Sequence, residues 1–266
     1  MLNQENVRAY LGDHAWRDLV QVLSLVDSTN TQCKALAAQG APEGTVLIAD
    51  AQTGGRGRLG RSFSSPAGQG IYLSVILRPE CPPTELNHLT AVAAVAMCDA
   101  VEKAHGLRPK IKWTNDLVAG KKKLCGILTE LSIRPDGITD YAVVGIGLNC
   151  GQEPEDFPEE IRDIATSLHL CTGEQVDRAK LAAQMVRELA EMRKNLFTGK
   201  EQTLQRYAED CITIGQRVRI VRADEERFAL ATGIDRDACL QVQYDDGTRG
   251  IIATGEVSVR GMYGYL

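Results

Sequence analysis

From Thr45 to Ala49, and again from Ile71 to Leu77, β-branched and aliphatic residues run for the length of a strand, and Pro42-Glu43-Gly44 supplies a turn before the first run. Between Glu85 and His105 the rhythm lengthens. Leu86, Leu89, Ala93, Met97, Ala100 and Val101 fall on one helical face and Gly106 provides a stop, so the spacing predicts a core-facing helix. A shorter helix is expected over 29–39, because Thr29 and Gln32 have capping-box spacing and Gly40 follows. Lys110 to Trp113 and Asp116 to Ala119 read as short strands. Gly120-Lys121-Lys122 turns the chain into the apolar run Leu124 to Leu131, and Tyr141 to Asn149 is a further buried strand. Residues 178–209, rich in Ala, Leu, Glu, Arg and Gln, predict one or two helices.

From Gly215 onward the pattern becomes strictly alternating. Val218 and Ile220 interleave with Arg217 and Arg219, Leu240, Val242 and Tyr244 interleave with glutamines, and Asp246-Gly247 is a favoured hairpin turn. The switch near Tyr207 to Ile214 divides the chain into a larger unit, 1–210, and a small all-β unit, 211–266. Strands and helices of the larger unit do not alternate regularly, so an α+β fold with a mixed sheet is expected rather than a doubly wound parallel one.

Composition narrows the functional classes. With 266 residues, 44% hydrophobic and 24% charged, the chain has an ordinary globular mixture, and its longest apolar run, Ala91 to Cys98, is far short of the ~20 residues that span a bilayer. The opening Met1 to Asn6 lacks the basic stretch and apolar core of a secretory signal, so a cytoplasmic protein is expected. Eight scattered cysteines and four scattered histidines make no metal-ligand spacing, and the thiols read as small buried hydrophobes. A net charge of −5 argues against an extended nucleic-acid surface and makes local basic clusters informative.

The densest cluster is Ala51 to Arg61, with four glycines and three arginines directly after a strand. Glycine lets backbone N–H groups approach a ligand, and guanidinium forks suit carboxylate or phosphate oxygens. It is not a P-loop, which needs Gly-Lys-Ser/Thr opening a helix, whereas this stretch continues through Ser62-Phe63-Ser64-Ser65-Pro66 into a strand. A mobile surface hairpin or an RNA-binding glycine-arginine tract are the alternatives for this segment by itself. A second cluster joins Lys110 to Leu117 with Lys121 to Leu128. Lys112 stands beside Trp113 in a strand, Lys123 abuts an apolar strand, and Gly126 within that strand allows close backbone approach by a ligand. Asn115-Asp116 on its own reads equally well as a turn.

In this order the segments resemble the biotin protein ligases: Asp27-Ser28-Thr29-Asn30, Gln52 with Gly55-Arg56-Gly57-Arg58-Leu59-Gly60-Arg61, Lys112-Trp113-Thr114-Asn115-Asp116, Lys123 to Leu128, and Gly145-Ile146-Gly147-Leu148-Asn149. Gly255 to Gly261 looks like the end of that family's SH3-like β-barrel, so the resemblance covers nearly the entire chain. It implies a mixed-sheet catalytic domain followed by that small barrel. It also implies activation of biotin by ATP, with Mg²⁺, as biotinyl-5′-adenylate and transfer to a lysine of a biotin carboxyl carrier domain. Ser28, Thr29, Asn30, Gln52, Arg56, Gly57, Arg58, Lys123 and Gly126 would hold biotin. Arg58, Arg61, Phe63, Lys112, Asn115, Asp116 and Asn149 would hold the nucleotide, with Lys123, Lys112 and Arg58 carrying the catalysis. Asn115 and Asp116 would position the lysines or Mg²⁺. Phe63 stands where the family often has a tryptophan against adenine, and Glu256 and Arg260 fall where the family binds ATP and acceptor.

Both reactants of the first step are anions, so concentrated positive charge in a site closed to water is what the chemistry needs. Each assignment has a plainer alternative: Ser28 and Thr29 as helix caps, Trp113 as core, Gly145 and Gly147 as packing relief, Asn149 as a strand end. A lipoate or octanoate ligase or transferase of the same architecture, or a non-catalytic biotin sensor, are the rival functions. The stretch before Ser28 is too short for the winged helix-turn-helix that makes some relatives repressors, so no DNA contact and no membrane contact are expected. The sequence leaves monomer and homodimer open.

Overall fold

The computed structural model describes residues 1–222, 225–253 and 257–261. The larger unit runs α1 (Gln4–Leu11), β1 (Val20–Val26), α2 (Thr29–Ala38), β2 (Val46–Gln52), β3 (Gly70–Leu77), α3 (Leu89–His105), β4 (Lys110–Lys112), β5 (Asp116–Ala119), β6 (Lys122–Ile133), β7 (Thr139–Asn149), α4 (Leu168–Thr172), α5 (Arg178–Lys194) and α6 (Lys200–Asp210). Its seven strands form one sheet in the order β1-β2-β3-β7-β6-β5-β4. Only β1 and β2 are parallel, joined by the α2 crossover; every other pair is antiparallel. The sheet is therefore mixed, as the irregular order of the elements predicts. Among the described residues no helix is long and apolar enough to cross a membrane.

Strand alternation sorts β7 into two faces. Ala142, Val144, Ile146 and Leu148 join the main core with α3 and α5, while Tyr141 and Val143 join a smaller cluster with Cys33 and Ala37 of α2 and Leu47 and Ile76 of the sheet. Farther along β7, the α2 side carries Gly145 and Gly147 and therefore no side chains. Gly126 stands opposite Gly147, and Leu128 opposite Gly145, on β6. The α2 face of the sheet is thus packed at one end and bare at the other. That bare stretch becomes the floor of the site.

The predicted helix from Glu85 starts later, at Leu89, because Pro83 to Leu86 form a 3-10 turn first. It ends at Gly106 in the left-handed conformation, where glycine avoids the Cβ penalty. Several elements escaped the sequence reading, among them α1, β1 and the short α4. The helix α1 buries only Val7 and Leu11, and β1 shows exposed leucines at 23 and 25 on one face, so neither has a clean apolar period. All eight cysteines are unpaired. Six are buried, as expected of small hydrophobes, and burial pushes the Cys33 thiol up to about 12.

The small unit comprises β8 (Arg217–Arg222), β9 (Glu225–Ile234), β10 (Leu240–Tyr244), β11 (Arg249–Ile252) and β12 (Val257–Gly261) in one antiparallel sheet ordered β11-β10-β9-β8-β12. Val218, Ile220, Leu240 and Val242 are among its buried positions, as the alternation predicts. Among the described residues β11 and β12 do not pair, so the sheet is not closed into the expected barrel. Glu256 and the side chain of Arg260 lie outside the described residues.

A buried charge ties α6 to β4 and the segment before it inside the larger unit. Asp210, 5% exposed at the end of α6, accepts from Arg108 at 2.9 Å and from Lys110 at 2.9 Å. Burial pushes the Asp210 carboxyl up, but the hydrogen bonds from Arg108 and Lys110 outweigh it and hold it below its ordinary value of 3.8. A depressed native pKa means stability that is full above pH 3.8 and is lost as the pH falls through the lower native value. Asp210→Asn is expected to cost about 2 kcal/mol, less than a fully orphaned pair because Arg108 keeps Asp99 and Glu102. Urea unfolding at pH 7 and pH 3 checks this, since the deficit should shrink at the lower pH.

Candidate active site

A cavity of about 630 Å³ lies over the bare glycine stretch of the sheet, a volume that suits a small-molecule site. It gathers residues scattered through the chain: Ser28, Thr29, Asn30, Gln52, Arg56, Gly57, Arg58, Arg61, Phe63, Lys112, Asn115, Asp116, Lys123 and Gly126 all line it. Those are the residues singled out from the sequence, save one. Asn149 is buried elsewhere, with its Nδ2 donating to Thr166 O at 2.9 Å and its Oδ1 accepting from Gln152. Its amide ties the end of β7 to the following segment, and the residue does not line the cleft.

One part of the cleft is neutral and hydrogen-bonding. Ser28, Thr29 and Asn30 are each buried at the start of α2, yet neither Ser28 nor Thr29 caps that helix with its side chain. Asp27 instead accepts from Ser28 N and from Gln32 Nε2. The Thr29 backbone N–H donates to Gln52 Oε1 at 2.8 Å. Asn30 inserts over Gly145, where a Cβ would lie 1.8 Å from its Oδ1, so that glycine exists to admit the amide. Its Nδ2 donates to Leu128 O at 3.2 Å and to Glu130 Oε2 at 3.0 Å.

The other part is cationic. Among the described residues that line the cleft, Arg56, Arg58, Arg61, Lys112 and Lys123 are positive and only Asp116 is negative. Lys123 Nζ pairs with Asp116 Oδ1 at 2.7 Å, and Arg58 donates to Asn115 Oδ1 at 3.2 Å. Asn115 in turn donates to Ile127 O at 2.9 Å, which fixes its amide. The Asn115-Asp116 pair thus positions one arginine and one lysine, where the sequence reading assigned it lysines or a metal. Burial pushes the Arg58 guanidinium down, against the attraction of Asp116, though an arginine stays charged at neutral pH. The two parts are offset along β6: Asn30 meets Leu128, whereas Lys123 and Phe63 meet Gly126, about 7 Å away for two residues of strand.

The glycine-arginine loop lines one side of the cleft. Arg56 bridges to Ser62, Gly57 N donates to Arg61 O, and Phe63 N donates to Gly55 O, so the loop is a true hairpin. Leu59 and Gly60 at its tip take positive φ to turn the chain. Phe63 leaves the hairpin to lie against Gly126 and Gly147, with Lys123 Nζ 5.9 Å from its ring centroid. Arg56 bonds Glu130 at 3.1 Å, and Glu130 also accepts from Lys34 at 2.7 Å. Burial pushes the Glu130 carboxyl up, but hydrogen bonds from Lys34 and Asn30 outweigh it, so it remains anionic. Glu130 and Lys34 were not anticipated. A carboxylate inside the apolar run Leu124 to Leu131 was the available signal. Ile164 was also missed; its carbonyl accepts from Lys123 N and clasps that strand end from a loop.

The turn bearing these groups is held from behind. Trp113 is buried in the core and also lines the cleft, with its indole N–H donating to Ala238 O at 3.0 Å and its backbone N–H to Thr213 Oγ1. The fully buried Tyr207 donates its hydroxyl to Thr114 O at 3.0 Å. Both α6 and the small unit therefore set the position of Asn115 and Asp116.

Residues 22–149 match the Biotin/lipoate A/B protein ligase family, and residues 213–260 match the Biotin protein ligase C terminal domain. The chain is 36% identical over 231 residues to the Bifunctional ligase/repressor BirA of Bacillus subtilis, covering 85% of this chain and 70% of that protein. It is 34% identical over 250 residues to the Biotin--[acetyl-CoA-carboxylase] ligase of Mycobacterium tuberculosis, covering 91% of this chain and 89% of that one. Among solved structures, the biotin protein ligase from Aquifex aeolicus in complex with biotin and ATP aligns with a TM-score of 0.77 at 31% identity, over 91% of this chain and 98% of that chain.

Proposed function

The chain belongs to the biotin protein ligase family, and from that premise we propose that it joins biotin to a lysine of a biotin carboxyl carrier domain, with ATP as the energy source, in the cytoplasm. A biotin carboxylate oxygen attacks the α-phosphorus of ATP, the bond to the β-phosphate oxygen breaks, and pyrophosphate leaves with biotinyl-5′-adenylate formed. The neutral ε-amine of the acceptor lysine then attacks the acyl carbon, and AMP departs. We assign the first step to residues 1–210 and give residues 211–266 the part of backing the Trp113 turn.

The observation that carries this reading is the division of one cleft into a buried neutral hydrogen-bonding part and a cationic part. Ser28, Thr29, Asn30 and Gln52 suit a polar ureido head, which a hydrocarbon or disulfide head would leave unpaired. Lys123, Lys112, Arg58 and Arg61 suit the carboxylate and the phosphates, where negative charge gathers as pyrophosphate departs. In this reading Lys123 holds the biotin carboxyl and α-phosphate together, and Lys112 holds a neighbouring phosphate. The hairpin and Phe63 exclude water from an anhydride that water would otherwise hydrolyse.

Among the described residues Asp116 is the one carboxylate lining the cleft, and no group of three His, Cys, Asp or Glu side chains could hold a metal. That donor set fits Mg²⁺ entering with its nucleotide and held mainly by phosphate oxygens, which is how this ion is usually bound. When bound it neutralises phosphate charge.

ATP–pyrophosphate exchange, run separately with biotin, lipoate and octanoate, tests the reading. Exchange with biotin alone is expected; exchange only with lipoate or octanoate, or with none, would overturn it. Arg58→Ala is expected to raise adenylate leakage into solution about tenfold while leaving the melting temperature within about 2 °C, because the hairpin lies outside the core. Filter-binding of labelled adenylate checks the leak, and a parallel loss of fold would remove Arg58 from that role.

A further inference from the structure

Ser74 is fully buried in the middle of β3, paired in register with Gly145, and does not line the cleft. Its hydroxyl has two oxygen neighbours, Asn30 Oδ1 at 2.6 Å and Thr29 Oγ1 at 2.8 Å. One proton cannot serve both. The Asn30 amide is oriented by its Nδ2, which faces the Leu128 carbonyl and the Glu130 carboxylate, both acceptors only. Its Oδ1 therefore faces Ser74 and can only accept, so the Ser74 proton goes there. The 2.8 Å contact between the two hydroxyls must then be made with the proton of Thr29. Gln52 does not compete for it well: its Oε1 already accepts the Thr29 backbone N–H at 2.8 Å, and the Thr29 hydroxyl lies at 3.2 Å. The Gln52 amide is itself fixed, because its Nε2 donates to Ser65 Oγ, which passes its own proton to Phe63 O.

Thr29, which lines the cleft, consequently has its hydroxyl proton turned inward, and the remaining lone pair of Oγ1 is left to accept. We propose that Ser74 is a specificity-determining positioning residue: by drawing the Thr29 proton into the fold, it presents the cleft with an acceptor and so selects an acid whose head carries N–H donors. The inference rests on the biotin ligase reading and deepens it. A ureido head donates to Thr29 Oγ1. A lipoyl or octanoyl head leaves that acceptor buried without a partner, and a site built to receive a hydrogen bond discriminates strongly against analogues lacking the donor. Ser74 acts through Thr29 and not by touching the ligand.

The test is pyrophosphate exchange by the full chain with Ser74→Ala, at varied biotin, octanoate and ATP. Once Ser74 is gone, the Thr29 proton is free to turn to Gln52 or into the cleft, and the KM for biotin is expected to rise about 30-fold. The kcat at saturating biotin and the KM for ATP should each change less than about threefold, and the preference for biotin over octanoate in kcat/KM should fall at least about tenfold. Ser74→Cys, close in size and a weaker donor, carries the test if the alanine variant does not fold, with about a tenfold rise expected. An unchanged biotin KM in whichever variant folds would overturn the assignment. So would parallel losses in both KM values and kcat with the biotin preference intact, which mark a purely structural serine. Wild-type exchange with octanoate or lipoate but not with biotin would instead bring down the biotin reading itself, and this assignment with it.

Discussion

Lys123→Ala is expected to lower the rate of adenylate formation by about 10³, a loss typical of removing one preorganised group from developing charge. The lysine sits where three elements converge. Its ammonium is 2.7 Å from Asp116, its chain passes over Gly126, and its backbone is clasped by Ile164 and Thr166. Such a side chain has little freedom to lose when the carboxylate and triphosphate arrive, so its charge acts without reorganisation. The alanine variant also leaves Asp116 without its 2.7 Å cation, close to arriving phosphates, which adds repulsion to the loss. Asp116→Asn in the Lys123→Ala background separates the two effects. If repulsion matters, the double variant regains part of the rate; if only the lysine matters, it does not. Lys123→Arg should recover little, because a planar fork cannot replace a compact ammonium at this contact. Single-turnover assays with biotin and labelled ATP give the number, and adenylate formation at the wild-type rate in Lys123→Ala would remove Lys123 from the first step.

The same lysine shows what could be read from the chain before its fold. Lys123, Lys112 and the three arginines stood out because glycine and cations were dense in short segments, and the cleft does contain all five. The strands and long helices were legible for a similar reason: Ile71 to Leu77 and the α3 face repeat with a local period. Residues that work across the sheet were not legible. Ser74 on β3 and Glu130 on β6 are neighbours of Asn30 only because β7 lies between those strands, and no local period encodes the order β3-β7-β6. Asn149 falls outside the cleft lining for the opposite reason. It sits beside residues that do line the cleft, but its position past the glycine stretch sends its amide to Thr166. The β1 strand and α1 were missed because an edge strand with apolar residues on both faces, and a helix burying one short pair, carry no clean signal.

Gly145→Ala should weaken biotin binding by about 100-fold and cost about 2 to 3 kcal/mol of stability, the range for overpacking a fixed site. A Cβ at this position would stand 1.8 Å from Asn30 Oδ1 and 2.6 Å from its Cγ. The amide cannot swing away cheaply. Its oxygen holds the Ser74 proton and its nitrogen holds Leu128 O and Glu130, so any retreat breaks buried hydrogen bonds and takes the first turn of α2 with it. That turn also carries Ser28 and Thr29, which is why a methyl on the sheet floor reaches the ligand. Gly126→Ala supplies the contrast. Its nearest neighbours are the flexible end of Lys123 at 3.2 Å and Phe63 at 3.4 Å, so it should disturb adenylate formation more than biotin affinity. Titration calorimetry with biotin, alongside urea unfolding, measures both quantities. In an Asn30→Ala background the clash has no partner, so Gly145→Ala should then add little further loss of stability; a full additive penalty there would show that something other than Asn30 makes glycine necessary at this point of the strand.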